Sequence, residues 1–280
     1  MSVSINGSGA LTYNDGSTQA SAQVGMKNRI IDGGFIINQR GYVSGTSLSA
    51  GSYGHDRWKA GSGGGTYTFT QGSLGVNTTI TITAGTLVQV IEGCNLAEGG
   101  TYVLSWTGTA QGRLNGGSYG ASGSVTITGW TAGTNLNVEF NTGTVGSVQL
   151  EKGSTATSFD YRPYGTELQL CQRYYQKFIS ANGAYCTFGT GHVDSATAGY
   201  GTIVLPVTTR AAATFGSSGS IAFYSGNSFY PITSFGTVYY TLNTQGVNFT
   251  CSGGGMTAGR GGQIIANNST TAYVDFNAEL

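Results

Sequence analysis

The chain has 280 residues, of which 48 are glycine and 9% are charged, and its 12 basic and 12 acidic side chains give a formal net charge of zero. Glycine disfavours helix interiors, and serine, threonine and asparagine compete for backbone hydrogen bonds, so this composition favours β-structure with many turns. The composition excludes collagen, which needs a Gly-X-Y period. It favours neither nucleic acid nor membrane insertion, because there is no basic cluster and no apolar run of about 18 residues.

Residues 1–26 are predicted to form an extended N-terminal arm. Val3 and Ile5 alternate with polar residues, and Asp15-Gly16 lies between two strand-like runs, which is a signal for a β-hairpin. A segment this short cannot bury a core of its own. We therefore expect the arm, with Tyr13, Asp15 and Gly16, to anchor the chain to a larger assembly.

Residues 27–164 are predicted to form a first β-domain, a jelly-roll-like sandwich, because short strands recur at intervals typical of that class. Strict alternation places Ile80 and Ile82 on one strand face, and Tyr102, Leu104 and Trp106 on another. The predicted strands are 29–31, 35–39, 67–71, 78–83, 87–92, 101–107, 125–128, 136–141 and 145–151.

A helix and a second β-domain are predicted in the rest of the chain. Residues 166–178 lack glycine and have apolar residues near helical spacing, which predicts a helix. Residues 165–280 as a whole are predicted to form a second β-sandwich. Its predicted strands are 184–190, 201–206, 213–217, 221–224, 238–242, 246–251, 262–266 and 271–280.

Several segments of the first domain resemble one family. Residues 27–41 resemble the opening of a carbohydrate-binding-module-like jelly roll that is common in phage structural proteins. The His-Asp-Arg-Trp run at 55–58 matches the Asp-Arg-Trp signature that follows this opening, and residues 149–175 are similar to the last strand and exit of that domain. In combination these segments resemble bacteriophage tail-fibre and virion-surface proteins.

The resemblance extends to the arm and the second domain. Residues 6–19 look like segments that precede such domains in tail fibres, and residues 275–280 are similar to the way such proteins end. Residues 205–214 resemble a second-domain pattern from which the chain departs, since Thr209 and Ala213 occupy positions where methionine and proline are usual.

The resemblance implies a virion component, made in the cytoplasm of a host bacterium and assembled as a homotrimer. A chain with few charges exposes neutral polar and aromatic surface, which contacts between copies would bury. The expected function is that of a non-enzymatic tail fibre or receptor-binding protein, attached to other virion proteins through residues 1–26. A capsid decoration or head-fibre protein that stabilises the shell is the alternative, and a free glycan-binding module is a third.

No enzyme is predicted, because the chain has two histidines and no evident pair of carboxylates. His192 and Asp194 resemble a base with its orienting acid, but a pair of polar loop residues is the simpler interpretation. A structural role is also expected for Asp56 and Arg57, as a hydrogen-bonded pair beneath the ring of Trp58.

Glycan binding is the candidate activity, since sugars need aromatic rings for their apolar faces and polar groups for their hydroxyls. Trp130 is flanked by turn residues, and Tyr119 and Tyr230 lie in other turn-rich stretches, where recognition residues are common. These three residues are the candidate glycan-binding residues, and a host-surface glycan is the corresponding partner.

No metal site or cofactor is predicted. Cys94, Cys171, Cys186 and Cys251 form no CxxC pair, so zinc ligands lack their usual spacing. Free, buried thiols are expected, as in proteins made in a reducing cytosol. The sparse carboxylates argue against a calcium cage, although a structural calcium ion is left open.

Overall fold

The computed structural model describes residues 4–5, 11–12, 18–19, 26–121, 123–181, 183–241 and 243–280, with the side chains of 1–25 and 237–241 outside the description. Three short strands lie in the N-terminal segment: β1 (Ser4–Ile5), β2 (Leu11–Thr12) and β3 (Thr18–Gln19). They pair antiparallel in the order β1-β2-β3. The predicted turn at Tyr13, Asp15 and Gly16 lies outside the described residues, and the strands on either side of it pair as a hairpin requires.

The first β-domain is an eight-stranded antiparallel sheet that branches and folds around its own core. Its β6 pairs with β11 through its first residues, Ile80 to Ile82, and with β10 through its last residues, Leu87 to Ile91. Side chains from both branches fill one cluster. The strands are β4 (Ser47–Leu48), β5 (Lys59–Phe69), β6 (Ile80–Ile91), β7 (Gly100–Thr107), β8 (Gly112–Leu114), β9 (Ser124–Trp130), β10 (Leu136–Phe140) and β11 (Gly143–Lys152), with a 3-10 helix at Gly93–Leu96.

Glycine permits the bend of β6 between its two pairing regions. Gly85 has a φ of +68°, and a Cβ there would lie 2.1 Å from the carbonyl oxygen of Gly64 on β5. The β5–β6 pairing shifts register on both sides of this contact. A residue with a side chain would be strained in φ and would push the strands apart.

The predicted strands at 29–31 and 35–39 are wrong, because residues 26–40 form irregular chain. Asp32 and Phe35 have φ values of +55° and +50°, so the backbone leaves the extended region twice. One carboxylate oxygen of Asp32 accepts hydrogen bonds from the main-chain N–H groups of Ile36 and Ile37, which holds this turn.

The predicted helix at 166–178 is confirmed in its first part only. Helix α1 (Tyr164–Gln172) follows Pro163, and Glu167 lies in its first turn. The chain then enters β12 (Tyr175–Ile179), which pairs along its whole length with β20 (Tyr273–Asn277). This long-range pairing overrides the helical spacing of residues 173–178.

The C-terminal part is all-β, as predicted, but six of its strands form a closed barrel rather than one face of a sandwich. The barrel order is β13-β14-β18-β17-β16-β19, and pairing of β13 with β19 closes it. A separate sheet in the order β12-β20-β15 contributes Val274 and Phe276 to the same core. The remaining strands are β13 (Thr187–Val193), β14 (Ala198–Val204), β15 (Thr214–Ser218), β16 (Ile221–Ser225), β17 (Ser228–Thr241), β18 (Thr244–Cys251) and β19 (Gly261–Ala266).

A third, small cluster lies where the two parts meet. Ile31 and Ile37 from the opening of the first domain pack with Cys171, near the end of α1, and with Tyr174, which follows the helix. We call this region the seam and define it as residues 28–40, 55–59, 90–92, 160–176 and 279–280. The seam contains most of the ion pairs described below.

Candidate functional site

Arg57, from the His-Asp-Arg-Trp run, is the central side chain of the seam. It has a φ of +69° and is 1% exposed. One guanidinium nitrogen donates to Glu279, and the other donates to the carbonyl oxygen of Val90 at 2.6 Å. The guanidinium carbon lies 3.6 Å from the ring centre of Tyr174. Arg57 therefore joins one end of the first sheet to two separate segments of the C-terminal part.

Asp56 pairs with Arg40 and not with Arg57, so the predicted Asp56–Arg57 pair is wrong. Its carboxylate accepts from Arg40 at 3.1 Å and from the side-chain amide of Gln39 at 2.7 Å. Burial raises the pKa of Asp56 to about 7, against the opposing effect of Arg40. Arg40 in turn bonds Glu279 at 3.3 Å, which links the two arginines through one carboxylate.

Trp58 is fully buried, but its ring packs against Phe35 and does not lie over the predicted Asp56–Arg57 pair. The two ring centres lie 5.0 Å apart. The indole N–H donates to the carbonyl oxygen of Asp32 at 2.9 Å. Trp58 thus holds the irregular segment 26–40 in place. Its neighbour Arg57 instead stacks on Tyr174 of the C-terminal part.

A second ion pair joins the exit of the first domain to α1. Arg162 donates to Glu167 at 2.8 Å and to the carbonyl oxygens of Ile30, at 2.9 Å, and of Asn28. Glu167 also accepts from the main-chain N–H of Asp32. Burial raises the pKa of the Asp32 carboxyl well above its usual range.

Glu92, which follows β6, gives a third connection. It accepts from the hydroxyl of Tyr174 at 2.8 Å and from Arg173 at 3.3 Å, and Arg210 lies 4.0 Å away. The carbonyl oxygen of Leu280 accepts from Tyr53 and Lys59, both at 2.7 Å. Four stretches of the first domain therefore bond the C-terminal part through charged or polar side chains. These stretches are residues 39–40, 53–59, 90–92 and 162.

Sequence reasoning missed Arg40, Glu92 and Glu279 as members of the seam. Their partners lie far along the chain, and Arg57 and Glu279 are 222 positions apart in the sequence. The composition offered one signal. A β-protein with so few charged residues is expected to use them in ion pairs or hydrogen bonds wherever they are buried.

The two histidines differ in their surroundings. His55 lies among aromatic rings, with the ring centre of Phe69 at 4.6 Å. The hydroxyl of Tyr67 accepts from the main-chain N–H of His55 and also shares a hydrogen bond with its ring Nδ1, at 2.9 Å. Burial lowers the pKa of His55 to about 4, so this ring is neutral near pH 7. His192 is exposed on β13.

The structure does not bring Trp130, Tyr119 and Tyr230 together. Trp130 is partly buried on β9, packs on the first core and donates to the carbonyl oxygen of Thr134 at 3.2 Å. Tyr230 lies on β17, packs on the second core and donates to the carbonyl oxygen of Gly255 at 3.3 Å. These two rings therefore have structural contacts in different domains.

Tyr119 lies beside a polar cleft of about 410 Å³ on the first domain. Its hydroxyl donates to Glu139 at 3.2 Å, and the guanidinium of Arg113 lies 4.5 Å from its ring centre. Arg113 and Glu139 face each other across β8 and β10 and form an ion pair at 2.7 Å. Lys59 and Asn137 also line this cleft. It offers donors and acceptors suited to a hydroxyl-rich ligand.

The four cysteines are free thiols, as predicted, but only two of them are buried. Cys171 and Cys251 are buried, Cys186 is intermediate and Cys94 is exposed. Within the described part of the chain, no three His, Cys, Asp or Glu side chains form a group that could hold a metal ion. No helix in the described ranges is long and apolar enough to cross a membrane.

Comparison with known proteins gives little. No family model and no curated protein matches the sequence. Among solved structures, the N-terminal CBM22-1-CBM22-2 tandem domain from Paenibacillus barcinonensis Xyn10C matches with 9% identity and a TM-score of 0.24, covering 86% of this chain and 99% of that chain. A TM-score of that size does not show a shared fold. The all-β architecture rests on the strand pairing described above.

Proposed function

We propose that this chain is a non-enzymatic structural protein of a virion surface, a phage tail fibre or receptor-binding protein. In this proposal residues 1–26 anchor it to other virion proteins, and the two β-domains extend as one rigid body towards the host surface. The observation that carries the proposal is the seam, in which buried arginines and carboxylates join the domains. A fibre that attaches a particle to a host surface needs its domains held in one relative orientation.

The distribution of charge supports a binding role over a catalytic one. Arg57, Arg162, Glu167 and Glu279 are each no more than 7% exposed and are bonded to one another or to the main chain. His55 is neutral near pH 7 and already bonded to Tyr67. These groups have structural partners, and grooves on the surface, among them the cleft beside Tyr119, are the candidates for recognition.

Homotrimeric assembly belongs to the same proposal. The barrel carries exposed aromatic rings, among them Tyr185 and Phe229, whose ring centres lie 5.3 Å apart. The ring centre of Tyr224 lies 4.8 Å from that of Phe229, with the two rings tilted. Contacts between copies would bury such rings, and in an assembly with closed rotational symmetry every copy makes the same contacts.

Copy number in purified particles tests the proposal and separates it from its alternative. We expect the chain to be present in particles at tens of copies or fewer, as for a tail appendage. Hundreds of copies would instead favour a capsid decoration protein, a role that a rigid pair of domains also suits. Absence from particles would overturn both. Removal of residues 1–26 is expected to abolish incorporation while the remaining domains stay folded.

A further inference from the structure

A row of outward-facing residues crosses four adjacent strands of the barrel. His192 on β13 lies opposite Tyr200 on β14, Tyr200 lies opposite Asn248 on β18, and Asn248 lies opposite Gly236 on β17. All four residues are exposed. Since neighbouring strands lie about 4.8 Å apart, the row spans roughly 14 Å of the barrel surface. We call it the barrel-face row.

Tyr200 borders a groove on the barrel surface and stacks with His192. The rings of His192 and Tyr200 are stacked, with centres 5.7 Å apart and an interplanar angle of 26°. Tyr200 and Asn248 line a groove of about 280 Å³, and His192 is not among its lining residues. The histidine therefore packs against one face of the tyrosine ring and restricts its orientation. Tyr200 remains 40% exposed.

Polar side chains line the same groove as Tyr200. Asp194, Ser234 and Thr250 line the groove together with Asn248. A Cβ at Gly236 would lie 2.2 Å from the side-chain oxygen of Asn248, so glycine at 236 keeps space for the amide. An aromatic face beside an amide, two hydroxyls and a carboxylate is the combination that binds a sugar ring.

The charges of the groove restrict the class of ligand. Among the described residues that line it, Asp194 is the single charged side chain and there is no lysine or arginine. An acidic sugar would meet a carboxylate without a compensating cation, which disfavours it. A volume near the lower end of the range for small-molecule sites, about 300–1,000 Å³, suits a short sugar unit.

We propose that the barrel-face row, with Asp194 and Ser234, forms a binding site for a neutral pyranose sugar. The apolar face of the sugar ring stacks on Tyr200. Its hydroxyls bond the amide of Asn248, the hydroxyl of Ser234 and the carboxylate of Asp194. The inference rests on the proposed function, in which the C-terminal part meets the host surface, and it places recognition on the barrel rather than in the cleft beside Tyr119.

Glycan binding by the purified full-length chain tests this site, first on an array of neutral, sialylated and uronic-acid glycans and then by calorimetry. We expect binding of at least one neutral glycan, weakened about tenfold or more in Tyr200→Ala and in Asn248→Ala. Tyr200→Phe, which keeps the ring, should retain most of the affinity. Tyr161→Ala, which removes an exposed tyrosine outside the barrel, is the matched control and should bind as the unaltered chain does.

The inference would be overturned if no neutral glycan were bound, if acidic glycans were preferred, or if Tyr200→Ala bound as the unaltered chain does. A loss of binding in Arg113→Ala with Tyr200→Ala unaffected would move recognition to the cleft of the first domain and would also overturn it. Thermal unfolding of each variant shows whether it is folded, and the exposed Asn248 supplies a second test if Tyr200→Ala is unstable. A chain that enters particles yet binds no neutral glycan contradicts this inference alone, whereas a chain absent from particles contradicts the proposed function.

Discussion

Removal of the Glu279 carboxylate is the most direct perturbation of the seam. Glu279 is 4% exposed and bonds Arg57, which is 1% exposed, as well as Arg40. Among the described residues, Glu279→Ala leaves the buried Arg57 guanidinium with the Val90 carbonyl oxygen and the Tyr174 ring as its remaining partners. Removing one member of a buried ion pair costs about 3–5 kcal/mol, so we expect a loss of that size in the free energy of unfolding.

Urea denaturation followed by two probes measures both the loss and its location. Tryptophan fluorescence reports the first domain, which contains all three tryptophans, Trp58, Trp106 and Trp130. Circular dichroism reports both domains. The unaltered chain should give coincident transitions, because the seam couples the domains, and Glu279→Ala should separate them.

A matched control and a double variant complete the experiment. Glu98→Ala removes the same side chain from an ion pair whose members are 27% and 47% exposed, and it should cost at most about 1 kcal/mol. Arg57→Ala combined with Glu279→Ala should cost clearly less than the sum of the two single losses, because both remove one interaction. Equal losses for Glu279→Ala and Glu98→Ala, with coincident transitions in both, would refute the reasoning.

Three further predictions concern the cores and the thiols. Gly199→Ala should destabilise the barrel by about 1–3 kcal/mol in thermal or urea unfolding, since its Cβ would lie 2.4 Å from the Phe249 ring, whereas Gly63→Ala meets nothing within 4 Å and should be close to neutral. For His55, whose folded-state pKa is lowered to about 4, the unfolded chain binds the extra proton between about pH 6.5 and 4. The stability contributed by neutral His55 is therefore complete above pH 6.5 and is lost as the pH falls. The difference in free energy of unfolding between the unaltered chain and His55→Gln should shrink by up to about 1.4 kcal/mol per pH unit in this window. A difference that does not change with pH would contradict the burial of His55. Maleimide should label the exposed Cys94 in the native chain and should reach the buried Cys171 only after unfolding, as mass spectrometry of digests would show.

Local alternation predicted the core of the first domain well. Ile80 and Ile82, expected on one face, are both buried, and so are Tyr102, Leu104 and Trp106. Alternation needs only neighbouring residues along one strand, and those neighbours are visible in the sequence.

Features that depend on distant partners were not predictable in this way. Residues 173–178 have helical spacing, but pairing of β12 with β20 decides their structure. The barrel closes because β13 pairs with β19, some seventy residues later, and neither strand carries a signal for that choice.

The candidate site shows the same limit. The sequence indicated a structural role for the motif at 55–58, yet the partner of Arg57 is Glu279 and that of Asp56 is Arg40. The aromatic residues chosen from turn-rich segments, Trp130 and Tyr230, have structural contacts. Tyr200 lies within a strand, and only the register of four strands shows that it stands in a polar row.

Residual dipolar couplings of the full-length chain test the central claim, that the seam makes the two β-domains one rigid body. We expect a single alignment tensor to fit the amide couplings of residues 47–152 and of residues 187–277 together. Two distinct tensors, with independent orientation or magnitude, would show that the domains move relative to each other and would contradict the account.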